Sequence, residues 1–109
     1  MERTGTKAAP LNGKKALDLI VSCVQKHINS PHYRILCFGS RARQKASSRS
    51  DFDIAVEADG EIPLAVLAKI EADLDDLPIL QKVDLVDLAA ADPSFRAEAL
   101  KGARLLYEQ

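Results

Sequence analysis

Apolar positions recur along this chain in two rhythms, and their alternation outlines a fold. Leu17, Ile20, Val21, Val24 and Ile28 form one stripe of a 3.6-residue period. The spacing predicts a helix that Asn12 caps and Asn29-Ser30-Pro31 ends. Tyr33 to Phe38 is a mostly apolar run closed by Gly39, the pattern of a strand buried on both faces. Ser40 to Ala46 reads as a two-turn helix, 47–50 as a polar loop, and Asp51 to Glu57 as a second strand. Asp59-Gly60 turns the chain. Pro63 then opens a helix whose stripe is Val66, Leu67, Ile70, Leu74 and Leu77, and Pro78 stops it. Lys82 to Leu88 predicts a third strand. Asp92-Pro93 starts a last helix with Phe95, Ala99, Ala103 and Leu106 turned inward. The expected order is α-β-α-β-α-β-α, an α/β domain with a small mixed β-sheet flanked by helices.

Composition narrows the class. The 109 residues, 47% hydrophobic and 28% charged, suit one domain and exclude a disordered tail, a collagen-like repeat or a disulfide scaffold. Residues 1–11 are polar and read as a flexible lead-in to a domain spanning 12–109. No run approaches the roughly 20 apolar residues of a membrane span, and the polar start does not resemble a secretory leader. Cys23 and Cys37 sit in apolar runs and read as buried, reduced thiols of a cytoplasmic protein. The net charge of −1 conceals an asymmetry: ten Lys/Arg against two acids before residue 51, then two against eleven over 51–87. The halves meet at the Ser50–Asp51 step, inside the stretch that carries the chemistry.

That stretch is Gly39-Ser40, ten residues, then Asp51-Phe52-Asp53, with Asp84 on a later strand. Two carboxylates two apart on a strand leave the same face. Such a cluster calls for a cation or for protons, and Mg²⁺ takes carboxylate and phosphate oxygens together. A glycine between a strand and a helix lets the backbone approach a ligand, and the helix start offers N–H groups to an anion. Arg41, Arg43, Lys45 and Arg49 add positive charge suited to a triphosphate, Arg43 being the favoured phosphate ligand. The pieces describe phosphoryl or nucleotidyl transfer with phosphates at Gly39-Ser40 and metal at Asp51 and Asp53. Asp84 completes the metal site or takes a proton from an attacking hydroxyl. Asp87, three residues on, falls on the opposite strand face; spacing alone leaves the choice between it and Asp84 open, the other reading of Asp87 being a strand-end or capping acid. His27 and His32 lack ligand-spaced partners, and the acids of 71–76 read as a solvated helix face. There is no P-loop, C-x-x-C, H-E-x-x-H or G-x-S-x-G motif.

The segments Gly39-Ser40-Arg41-Ala42-Arg43, Ser50-Asp51-Phe52-Asp53-Ile54-Ala55-Val56 and Val83-Asp84-Leu85-Val86-Asp87-Leu88 resemble the minimal nucleotidyltransferases of the DNA polymerase beta superfamily. The likeness is close to the antitoxins of HEPN/MNT toxin–antitoxin pairs and covers about residues 14–107. It implies the polymerase-beta-like fold, two Mg²⁺ ions at Asp51, Asp53 and Asp84, and nucleotide phosphates at Gly39 and Ser40. It also implies transfer of AMP from ATP to a hydroxyl. In the antitoxin branch the acceptor is a tyrosine of a HEPN toxin, which implies a type VII-like antitoxin in a hetero-oligomer, with neither membrane nor nucleic acid as partner. Many relatives carry glycine where this chain has Gln44, so the loop path there can differ. Two rival functions stay open: neutralisation of a partner by occlusion alone, and transfer to a small molecule or an RNA 3′ end.

Overall fold

Strands that are apolar on both faces must be covered on both, and the chain supplies unequal covers. The computed structural model describes residues 13–42 and 51–109. Over these the order is α1 (Gly13–Gln25), β1 (Tyr33–Phe38), α2 (Gly39–Ala42), β2 (Phe52–Ala58), α3 (Leu64–Asp75), β3 (Val83–Asp87), α4 (Pro93–Leu100) and β4 (Arg104–Glu108). The four strands lie in the order β3-β2-β1-β4. β1 is antiparallel to both β2 and β4, while β2 and β3 are parallel with α3 as their crossover.

The larger core forms on one face of this sheet. Ala16, Ile20, Cys23 and Val24 of α1 and Ile70 and Leu74 of α3 cover Ile35, Cys37, Phe52, Ile54 and Val56. Burying each large aliphatic side chain contributes about 1.5–3 kcal/mol. Both thiols are buried and unpaired, and burial pushes each of them up from its ordinary value. At its C-terminal end α1 is tied to α3, where His27 Nε2 lies 2.6 Å from Asp73 Oδ2. Asp73 is therefore half-buried and bonded, not part of a uniformly solvated acidic face.

The opposite face has a smaller cluster of Leu36, Ala55 and Leu88, joined by Phe38, Val86, Leu100 and Ala103. α4 lies on this side. Asp92 caps it by accepting from the N–H groups of Ser94 and Phe95. Arg96 then reaches Glu57 Oε2 at 2.5 Å, and Arg34 donates to Glu57 Oε1 at 2.6 Å. The hydrogen bond from Arg96, reinforced by Arg34, holds Glu57 below its ordinary value of 4.5 despite burial. A depressed folded-state value means that this stability is present above pH 4.5 and is lost as pH falls through the lower folded value. Glu57→Gln is therefore expected to cost about 1–2 kcal/mol at neutral pH and to flatten the acid limb of a pH–stability curve, read by denaturant unfolding.

Three expected boundaries move. The last helix ends at Leu100, short of Leu106, because Gly102 takes φ +72 and turns the chain into β4. β4 extends the order to α-β-α-β-α-β-α-β. Its pairing with β1 slips between Ile35 and Leu36, so Leu106 and Tyr107 both reach the main core. α1 ends at Gln25 and not at Ile28. The helix expected over Ser40 to Ala46 is present as far as Ala42; its remainder, the Asn12 cap and the lead-in 1–11 lie outside the described residues. No helix among the described residues is long and apolar enough to cross a membrane.

Candidate active site

Strand registry, not proximity in sequence, assembles the acidic group. Asp53 and Asp84 are direct partners on the parallel strands β2 and β3, so both side chains leave the face opposite the main core. Asp51 stands just before β2, two residues from Asp53 and exposed, while Asp53 and Asp84 are half-buried. Burial pushes the Asp53 carboxyl up from its ordinary value, and the charges of Asp84 and Asp51 push it in the same direction. Among the described residues, Lys82 places its Nζ 3.4 Å from Asp84 Oδ1.

A raised folded-state value makes ionised Asp53 a burden on the fold at neutral pH, relieved as pH falls through that value. This is the opposite sign to Glu57. Asp53→Asn is expected to leave the metal-free chain as stable or slightly more stable at pH 7, measured by thermal unfolding in chelator. A clear loss would assign Asp53 a structural role instead.

Gly39 shows why the Gly-Ser step follows β1. Its φ of +73 is left-handed, and a Cβ added there would collide with the Asp53 carboxylate. The backbone thus packs directly against a candidate metal ligand. Ser40 is the second residue of α2, while Arg43, Lys45 and Arg49 lie outside the described residues. The Arg41 guanidinium sits 3.9 Å over the Phe52 ring, on the main-core side of the sheet.

Asp87 proves to be a structural acid. It is buried, accepting from the N–H groups of Ile62 at 2.7 Å and Ala89 at 3.1 Å, and so fixes the loops at the far end of β3. His27 serves the α1–α3 contact already described. Missed by the sequence reading were Lys82, the aromatic pair Phe38–Phe95, and a cavity of about 480 Å³ behind α2. Lys14, Arg41, Arg104, Leu17, Cys37 and Phe52 are among its walls. No local motif announces the aromatic pair or the cavity, because each forms only when distant segments meet, whereas Lys82 stands two residues before its partner Asp84.

The donor set suits Mg²⁺ by chemistry: hard carboxylate oxygens, with Asp53 resisting ionisation through burial and beside its neighbours. No three His, Cys, Asp or Glu side chains among the described residues close into a cage for a metal ion. That is compatible with Mg²⁺, which is commonly held by one or two carboxylates together with substrate phosphates.

Comparison with known proteins gives this geometry its context. The model of the family described as polymerase beta, nucleotidyltransferase, matches residues 20–109. The Haemophilus influenzae protein named "Probable protein adenylyltransferase MntA" is 29% identical over 66 residues, which are 61% of this chain and 58% of that protein. The aligned part thus spans well under two-thirds of the curated relative. A crystal structure of a toxin–antitoxin with AMP-PNP superimposes with TM-score 0.64 at 25% identity, over 84% of this chain and 72% of that one. A structure of the tri-AMPylated Shewanella oneidensis HEPN toxin in complex with MNT antitoxin gives TM-score 0.61 over 86% of this chain and 71% of that one. At 23% identity it speaks for the fold alone. With the family match covering residues 20–109, most of its length, the chain belongs to the polymerase beta-type nucleotidyltransferase family.

Proposed function

We propose that this chain is a Mg²⁺-dependent protein adenylyltransferase that transfers AMP from ATP to a tyrosine hydroxyl of a HEPN toxin and so acts as its antitoxin. The observation that carries the reading is the pairing of Asp53 with Asp84 on one sheet face, with Gly39 packed against Asp53. Asp51, Asp53 and Asp84 would hold the metal, Asp51 from just before β2 and Asp53 from within it. When bound, Mg²⁺ would neutralise charge on the phosphates and stabilise the leaving pyrophosphate.

The rest of the chemistry falls to the chain's own groups. Gly39, Ser40 and Arg43 bind the phosphates. Asp84, on the neighbouring strand, receives the proton of the attacking hydroxyl. The acceptor oxygen bonds to the α-phosphorus as the bond from that phosphorus to the bridging oxygen breaks, and pyrophosphate leaves. The curated relative supports a protein acceptor, since it bears the name of a probable protein adenylyltransferase.

Incubation with Mg²⁺, a HEPN partner and ATP labelled at the α-phosphate is expected to label the partner; ATP labelled at the γ-phosphate is not. Label on added RNA or on a small hydroxyl compound, with none on the partner, would contradict the protein acceptor.

A further inference from the structure

The face that carries Asp53 and Asp84 also carries an aromatic pair to which the transfer chemistry gives no role. Phe38 is the cross-strand partner of Asp53 and directly precedes Gly39. Phe95, near the start of α4, meets it edge to face, with ring centroids 5.9 Å apart and planes at 89°. Even so, Phe95 remains 43% exposed. Its position is fixed on both sides along the chain. Asp92 accepts from the N–H groups of Ser94 at 3.0 Å and of Phe95 itself at 3.4 Å, and the next residue, Arg96, is bound to Glu57. A held, half-exposed ring offers a planar ligand contact at little cost in side-chain freedom.

We propose that Phe95 is the surface on which the purine ring of the transferred nucleotide stacks. The proposal rests on the transferase reading above. Strand order places Asp84, Asp53 and Phe38 in succession across this face, on β3, β2 and β1. A nucleotide with its phosphates at Gly39 and Asp53 therefore has two flanks. One, with Asp84 and Lys82, is charged and suits a hydroxyl that must lose its proton. The other, Phe38 with Phe95, is aromatic and suits the ring. Stacking responds to the area of a π-face and not to its hydrogen-bonding edge, so Phe95 favours purine over pyrimidine nucleotides and separates ATP from GTP only weakly.

The chain has no tryptophan, so Phe95→Trp supplies a single reporter at the contact itself. With Mg²⁺ present, its emission is expected to be quenched saturably by ATP and not by inorganic tripolyphosphate, which lacks a ring. Phe95→Leu keeps an apolar contact with Phe38 but has no π-face. It is expected to raise the KM for ATP, and the Kd from calorimetry, about tenfold with kcat little changed. ATP bound equally by the wild type and Phe95→Leu, or Trp emission unmoved at saturating ATP, would overturn the stacking role and leave the transferase reading standing. A rise in the KM of the protein acceptor, with that of ATP unchanged, would overturn it in favour of acceptor docking. A wild-type chain that binds no ATP would overturn both.

Discussion

Replacing Asp51 and Asp53 together by asparagine is expected to lower AMP transfer by about 10³-fold or more while leaving the chain folded. The first part follows from removing two of the three carboxylates that would hold the metal. The second follows from the half-buried, crowded state of Asp53: burial, Asp84 and Asp51 all oppose its ionisation, so the neutral amide relieves a repulsion. Two readouts check the pair of claims. Initial rates of label transfer should collapse, and the midpoint of metal-free thermal unfolding should hold steady or rise. The same variant divides catalysis from occlusion. A partner still fully neutralised in cells by the double variant would favour occlusion, and a partner released to act would favour transfer.

Gly39→Ala is expected to damage both the fold and the site. At φ +73 an L-residue bears a backbone strain of about 1–2 kcal/mol. The new methyl would also occupy space held by the Asp53 carboxylate, which must then swing aside. The expected result is a lowered unfolding midpoint, with transfer reduced by about 10²-fold through displacement of a ligand that the substitution does not itself remove. Gly60→Ala is the matched control, since a Cβ there meets nothing within 4 Å and no positive φ is involved. It should change transfer little. Equal, small effects of the two substitutions would show that the contact between Gly39 and Asp53 has no bearing on the reaction.

How far the sequence could be read depends on the range of the forces involved. β1, β2 and β3 were legible because each is a short apolar run between turn signals, and their observed limits fall within a residue or two of those expected. The parity of strand positions put Asp84 and Asp87 on opposite faces, and the family resemblance chose Asp84 between them; in the structure one faces the open side and the other is buried under backbone N–H groups. β4 was not legible. Ala99, Ala103 and Leu106 satisfy a helical stride as well as they satisfy a bend followed by a strand, and pairing with β1, some seventy residues earlier in the chain, settles the matter. The contact of Phe95 with Phe38 and the Arg96–Glu57–Arg34 bridge were hidden for the same reason, since both depend on how α4 crosses the sheet. His27 meeting Asp73 is likewise a product of α1 packing beside α3. The candidate carboxylates themselves could be named early because a two-residue spacing on a strand carries their geometry with it.

The most direct test of the central claim is the intact mass of the HEPN partner recovered after co-expression with this chain. The expected partner is heavier by one or more adenylyl groups, with the modification mapped to a tyrosine, and is unmodified when the chain carries Asp51→Asn and Asp53→Asn. A partner of unaltered mass that the wild-type chain nonetheless silences would contradict that claim.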